Sequence, residues 1–275
     1  MDIPQIDIRE IALRNGVSIA EVQTVLNIAK KGMLPFMRRF NIAENGTVRW
    51  YATERRGVGK LQTPYGLFWQ YDFHIDDQWE KYSVLVKADL DADLMPVFHR
   101  EEQLVLRIDS GCETGQMFHD LTCDCREQLY RTMQKIADIG EGLVINIPRQ
   151  DGRGMGLPFK LATLRLQDEL RLNTVEAASI LAPGGVIDVR TYAGAVAILR
   201  FFGIPITCEI GLATNNPHKM HVFIENGYKV TDLLPVVIPP TEHTRHHLEA
   251  KQKHLGHHNL VTDAAETPDE NENPT

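Results

Sequence analysis

The stretch RIDSGCETGQMFHDLTCDCREQ, residues 107–128, holds three of the chain's four cysteines, Cys112, Cys123 and Cys125. Ten residues separate the first from a tight Cys-x-Cys pair. Two cysteines so close together make a poor disulfide, but their thiolates can bend round one ion, and Cys112 offers a third ligand from an adjoining loop. Three protein ligands with an open fourth position are what a catalytic zinc site needs. The alternative is that these are small buried hydrophobes. Polar neighbours (Asp109, Ser110, Glu113, Thr114, Asp120 and Asp124) argue against that.

Working outward, QLVLRIDSG reads as a strand that delivers its polar end to the cysteines. After them, CREQLYRTMQKIADIGEG reads as a helix with Leu129, Met133, Ile136 and Ile139 on one face. LVINIP follows as a buried strand. Residues 158–171 and 189–202 look helical, ITCEIGLAT is a strand, NPHKMHVFIENG a helix, and YKVTDLLPVVIP a closing strand. Upstream, TPYGLFWQYDF and KYSVLVKADL read as strands. The predicted class is α+β with α/β character in the second half, a mixed sheet with flanking helices.

Two further loops lie between a strand and a helix. Arg149-Gln150-Asp151-Gly152-Arg153-Gly154 has glycines that let backbone approach a ligand. Its arginines suit phosphates, and a carboxylate there suits the paired N–H donors of a guanine edge. It lacks the Lys-Ser/Thr ending of a P-loop and reads otherwise as a plain turn. Thr214-Asn215-Asn216-Pro217-His218-Lys219 offers a hydroxyl and an ammonium, or else only a capped helix start. Asp188 and Arg190, two residues apart, read as a helix cap unless a ligand employs them.

At the N-terminus residues 6–40 read as helices, with the periodicity of IREIALRNGVSIAEVQTVLN broken at Asn15-Gly16 and Ser18 and Glu21 as a capping box. The pattern resembles a bacterial helix-turn-helix, and also fits a packing arm. Residues 41–60 read as a polar connector. Residues 1–60 carry ten Lys/Arg against six Asp/Glu, but net charge is −8, which disfavours DNA as a partner. Residues 261–275 carry five acids and no base, and read as a disordered tail. The expected divisions are 1–58, 59–260 and 261–275. Histidines 243, 246, 247, 254, 257 and 258 sit in a polar segment and read as surface. No apolar run suits a membrane span, no signal peptide is evident, and unpaired cysteines suit a reducing compartment, so a cytoplasmic protein is expected.

Taken in order, Cys112-x-Thr114-Gly115, Cys123-Asp-Cys125, Gln128, Asp151-Gly-Arg153-x-x-Gly156-Leu157, Gln167-Asp168, Thr174-Val-Glu-Ala177, Asp188-x-Arg190, Thr214-Asn-Asn-Pro-x-Lys219, and Lys251 ahead of His254-Leu-Gly-His257 resemble the GTP cyclohydrolase II family of riboflavin synthesis. The resemblance covers roughly residues 60–260. It implies one Zn²⁺ per chain on Cys112, Cys123 and Cys125, activating water to open the imidazole ring of GTP with loss of formate and pyrophosphate. Arg107, Ser110, Thr174, Thr214 and Lys219 would contact ribose or phosphates, and Gln128, Asp151, Gly152 and Arg153 the base. Arg190 would be the nucleophile toward the α-phosphate, Asp188 its proton acceptor, Mg²⁺ the counter-ion of the triphosphate, and the assembly a homodimer. This chain departs from the family pattern at five places. Asp109 stands where a histidine is usual, Gly111 and Asp151 where glutamates are, Gly154 where an asparagine is, and Leu164 where a tyrosine is. Those departures fit two other outcomes, a homologue that opens another ring, such as a pyrimidine nucleotide's, or one that stops at a formylated intermediate. A third reading is a regulator that binds nucleotide and uses the helix-turn-helix.

Overall fold

The computed structural model describes residues 7–76, 81–99, 103–234 and 236–257. Two helices open it, α1 (Ile8–Asn15) and α2 (Ile19–Gly32). Gly16 ends the first, and Ser18 with Glu21 forms the expected capping box on the second. Lys31 Nζ donates to Asp93 Oδ1 at 2.8 Å, which ties the end of α2 to the main body.

Strands follow at once: β1 (Phe36–Glu44), β2 (Thr47–Thr63), β3 (Gly66–Ile75) and β4 (Tyr82–Lys87), each antiparallel to the one before. The expected helix over residues 36–40 and the expected connector over 41–60 are therefore wrong: these residues form most of a long hairpin. The misleading signal was polar composition. Edge strands solvated on one face look like loops when their alternation is partial, and only Ile42, Tyr51, Thr53 and Arg55 turn fully inward. A two-strand ribbon, β5 (Asp89–Leu90) and β6 (Pro96–Val97), leads to β7 (Gln103–Asp109). Then come α3 (Glu113–Gln116), α4 (Cys125–Ile139), β8 (Gly142–Asn146), α5 (Leu157–Leu170), α6 (Thr174–Leu181), α7 (Ala193–Phe201), β9 (Glu209–Leu212), α8 (His221–Glu225), β10 (Lys229–Leu233) and α9 (Arg245–Leu255). The helices α6 and α9 are additions to the sequence reading. Among the described residues, none of the helices is long and apolar enough to cross a membrane. The tail over 261–275 and His258 lie outside the described residues.

All eight long strands form one sheet, ordered β1-β2-β3-β4-β8-β7-β9-β10. It is antiparallel up to β8 and parallel from β8 onward. This is the mixed α+β sheet that the sequence predicts. The central strand β7 is covered on both faces, as an apolar run of its kind requires. Leu104, Leu106 and Ile108 face the large core under α7, which is buried along nearly its whole length. Val105 faces the smaller core with Phe68, Met133 and Ile136 of α4. Side chains alternate along a strand. Arg107 and Asp109 thus share the α4 side with Val105, and emerge at the strand's carboxyl end. Loops after the carboxyl ends of β7, β8 and β9 converge there, where ligands bind in parallel sheets.

Candidate active site

The loop after β7 carries Ser110, Gly111 and Cys112, and the turn that starts α4 carries Cys123 and Cys125. The three sulfurs lie within 4.8 Å of one another, with Cys112 Sγ 3.5 Å from Cys123 Sγ, and none is in a disulfide. Gly115 makes room for them. A Cβ on it would sit 2.6 Å from Cys123 Sγ and 3.2 Å from Cys112 Sγ. Three convergent thiols in a cradle that even one methyl would fill are a fitting donor set for a metal such as zinc. Within the cluster the three sulfurs are biased in different directions, and Cys112 is the one drawn toward its thiolate form. Hydrogen bonds from Cys123 and Cys125, then the Lys160 ammonium, hold its thiol far below the usual range, while Cys123 and Cys125 are pushed up, each first by its contact with Cys112. Lys160 Nζ lies 2.7 Å from Cys112 Sγ and 3.8 Å from Asp151 Oδ1. Burial works against that ammonium, but the surrounding thiolates outweigh it and raise its pKa.

Asp109 is the hub of the loop. Its carboxylate, 1% exposed, accepts from Arg107 Nε (3.1 Å) and Nη2 (3.0 Å), Gly111 N (3.1 Å), Gln116 Nε2 (2.8 Å) and Asn146 Nδ2 (2.9 Å). Gly111 has φ +55, and a Cβ there would meet the Asn146 amide at 3.0 Å. Asp109 and Gly111, two departures from the family pattern, are thus parts of one arrangement: Asn146 reaches the carboxylate through space that a side chain at 111 would take.

The same cavity is lined by Arg107, Ser110, Gln128, Asp151, Gly152, Arg153, Thr174, Arg190, Thr214 and Lys219 together with the three cysteines. Asp188 is the exception. It stands behind Arg190, accepting from Nε at 2.9 Å and also from Nη2. Burial opposes the charge on both members, but their contact prevails, lowering Asp188 and raising Arg190. Arg153 sits in a 3₁₀ turn (Asp151–Gly154) with φ +59, a costly conformation for a side-chain-bearing residue. Burial, then Arg190, pushes it down to about 10. Its Nη2 reaches Thr174 Oγ1 at 3.4 Å, while its Nη1 is buried with no hydrogen-bond partner. Asp151 Oδ1 and Gln150 Oε1 are unpartnered too. Buried orphans of this kind are rare, and with His247 Nδ1, which also has no hydrogen-bond partner, four of them round one cavity mark a ligand's place. Lys219 Nζ donates to the carbonyl of Ile108 at 2.8 Å. Burial, then Arg107 and Arg190, push it down to about 7. Gln128 bonds Asp124 and Arg107.

A family profile for GTP cyclohydrolase II matches residues 54–235. The chain belongs to the GTP cyclohydrolase II family. It is 35% identical over 212 residues to the GTP cyclohydrolase-2 of Streptomyces coelicolor, covering 77% of this chain and 89% of that one. It is 35% identical over 198 residues to that of Picrophilus torridus, covering 72% and 95%. For that of Shewanella sediminis the figures are 34% over 198 residues, covering 72% and 89%. As a GTP cyclohydrolase II family member the chain is an enzyme, a hydrolase.

Sequence reasoning missed Gln150, Lys160, His247 and His257, all cavity-lining. Reading the histidines as surface residues is corrected for two of them. His247 and His257 turn inward, whereas His243, His246 and His254 are exposed. The usable signal was amphipathy: Leu248, Ala250 and Lys251 share a face of α9 that the eye loses among the histidines.

Proposed function

We propose that this enzyme binds one Zn²⁺ on Cys112, Cys123 and Cys125 and opens the imidazole ring of GTP, releasing formate and pyrophosphate in a riboflavin-type pathway. The observation that carries this is one cavity lined both by a three-thiol cluster and by Arg107, Arg153, Arg190 and Lys219. Few ligands other than a nucleotide need both. Zinc on three thiolates supplies a Lewis acid that makes water nucleophilic at neutral pH. The residues do the rest. Lys160 offsets the charge of the sulfur cluster. Asp151, with an unpartnered oxygen, accepts from the N–H edge of the base beside Gln128 and Arg153. Arg190 meets the α-phosphate, oriented by Asp188. In the free site this pair is held as an ion pair, so a nucleophilic Arg190 would hand its proton to Asp188 only after phosphate arrives. Lys219, Thr214, Ser110 and Thr174 take ribose and phosphate oxygens, and Mg²⁺ balances the triphosphate.

Zinc-loaded protein incubated with GTP tests this, with formate and pyrophosphate measured separately and Cys123→Ser as control. Both products, lost in the variant, are expected. Neither product, or activity in Cys123→Ser, overturns the proposal. A second reading rests on Leu164, an apolar side chain in the cavity wall beside Phe159. It offers no proton donor to a ring there, which favours a reaction that stops at the formylated product or acts on another ring. Pyrophosphate without formate would establish that outcome.

A further inference from the structure

The inner face of α9 forms a wall of the cavity. Leu248 and Ala250 are buried and seat the helix against α6. Lys251, next on that face, reaches Asp124 Oδ1 at 3.3 Å. Asp124 is 4% exposed and stands between the ligand cysteines 123 and 125, so this contact ties the C-terminal helix to the metal turn. One turn earlier, His247 lines the cavity with its Nδ1 buried and unpartnered. At the other end, Gly256 stops α9 in the left-handed conformation and the chain reverses, bringing His257 to the cavity wall.

His257 lines the same cavity as Lys251, Arg190 and Lys219. Burial first, then those three cations, push it down to about 3. Asp124 answers Lys251 and Asp188 answers Arg190, whereas Lys219 donates only to the carbonyl of Ile108. An anion is the partner that this buried ammonium lacks, and His257 shares its cavity.

We propose that His257 is a direct contact to the phosphate chain of the substrate, and that the Lys251–Asp124 pair is the strut that positions it. The inference rests on the reading of Arg190 and Lys219 as the phosphate site. His257 donates to a phosphate oxygen in the cavity that it shares with Arg190 and Lys219. Lys251 does not touch substrate, and acts by holding α9 and the Asp124 turn in register.

Inorganic pyrophosphate is the probe, titrated calorimetrically into the full, zinc-loaded chain. His257→Ala should weaken pyrophosphate binding about ten-fold, as expected for one hydrogen bond to a charged group, with zinc content unchanged. His257→Gln, which keeps one N–H, should recover part of the loss. Lys251→Met should weaken pyrophosphate binding and also speed loss of zinc to a chelator, a result that a residue confined to phosphate binding would not give. Binding by His257→Ala within two-fold of the parent, while Lys219→Ala loses it, overturns the inference and leaves the phosphate site intact. A parent chain that binds neither pyrophosphate nor GTP overturns both.

Discussion

Replacing Asp109 with asparagine keeps the shape and removes the charge. The carboxylate serves five donors: two from Arg107 on one oxygen, and Gly111 N, Gln116 Nε2 and Asn146 Nδ2 on the other. An amide has one oxygen. Turned toward Arg107, it presents its NH₂ to three donors. Gln116 and Asn146 can flip their amides to oblige, but the backbone N–H of Gly111 cannot. The Arg107 guanidinium, with a side chain 5% exposed, is left without a counter-charge. Removing one member of a buried pair costs about 3–5 kcal/mol. At roughly 2–4 °C per kcal/mol for a chain of this size, Tm should fall by ~10 °C. Urea denaturation and thermal melting of zinc-loaded protein measure it. The double change Arg107→Met with Asp109→Leu should recover much of the stability, because no charge is left stranded, although substrate binding is lost. A loss below about 1 kcal/mol for Asp109→Asn, the size of one ordinary neutral hydrogen bond, would refute the view of Asp109 as hub.

Three other outcomes follow from the site. Gly115→Ala, whose methyl falls 2.6 Å from Cys123 Sγ, should lose zinc affinity at least ten-fold with an unchanged far-ultraviolet spectrum, as a chelator competition would reveal. Lys219 is depressed to about 7 in the free site, and an anion favours its charged form. Phosphate binding should therefore be tightest below pH 7, weaken above it, and take up protons at pH 8, which calorimetry in buffers of different ionisation enthalpy detects. Leu164→Tyr restores a phenol to the cavity wall and should raise the formate-to-pyrophosphate ratio if the reaction of the parent stops early; an unchanged ratio removes Leu164 from the account.

Chemistry was legible in this sequence where it is local. Cys123 and Cys125 are two residues apart, and Thr214 to Lys219 lie in one short loop, so spacing singles them out as candidates and the order of motifs along the chain does the rest. What stayed hidden is what the fold assembles from afar. Lys160 meets Cys112 across 48 positions and Lys251 meets Asp124 across 127, and neither lysine differs by type from a solvated one. The hairpin over 41–60 was lost for a related reason: its inward residues include Thr53 and Arg55, which no hydropathy pattern marks as interior. Asp109 and Gly111 could be seen as departures, but their mutual fit depends on Asn146, which the sequence gives no reason to place beside them.

The strand β8 lies between β4 and β7, both of which precede it in the chain. While the protein is being made, then, the sheet has a gap that only residues 142–146 can fill. All three thiols emerge before the strand whose Asn146 fixes their loop, and Lys251 arrives last of all. The cysteine turn is therefore made before Asn146 and Lys251, the residues that brace it, have been added to the chain.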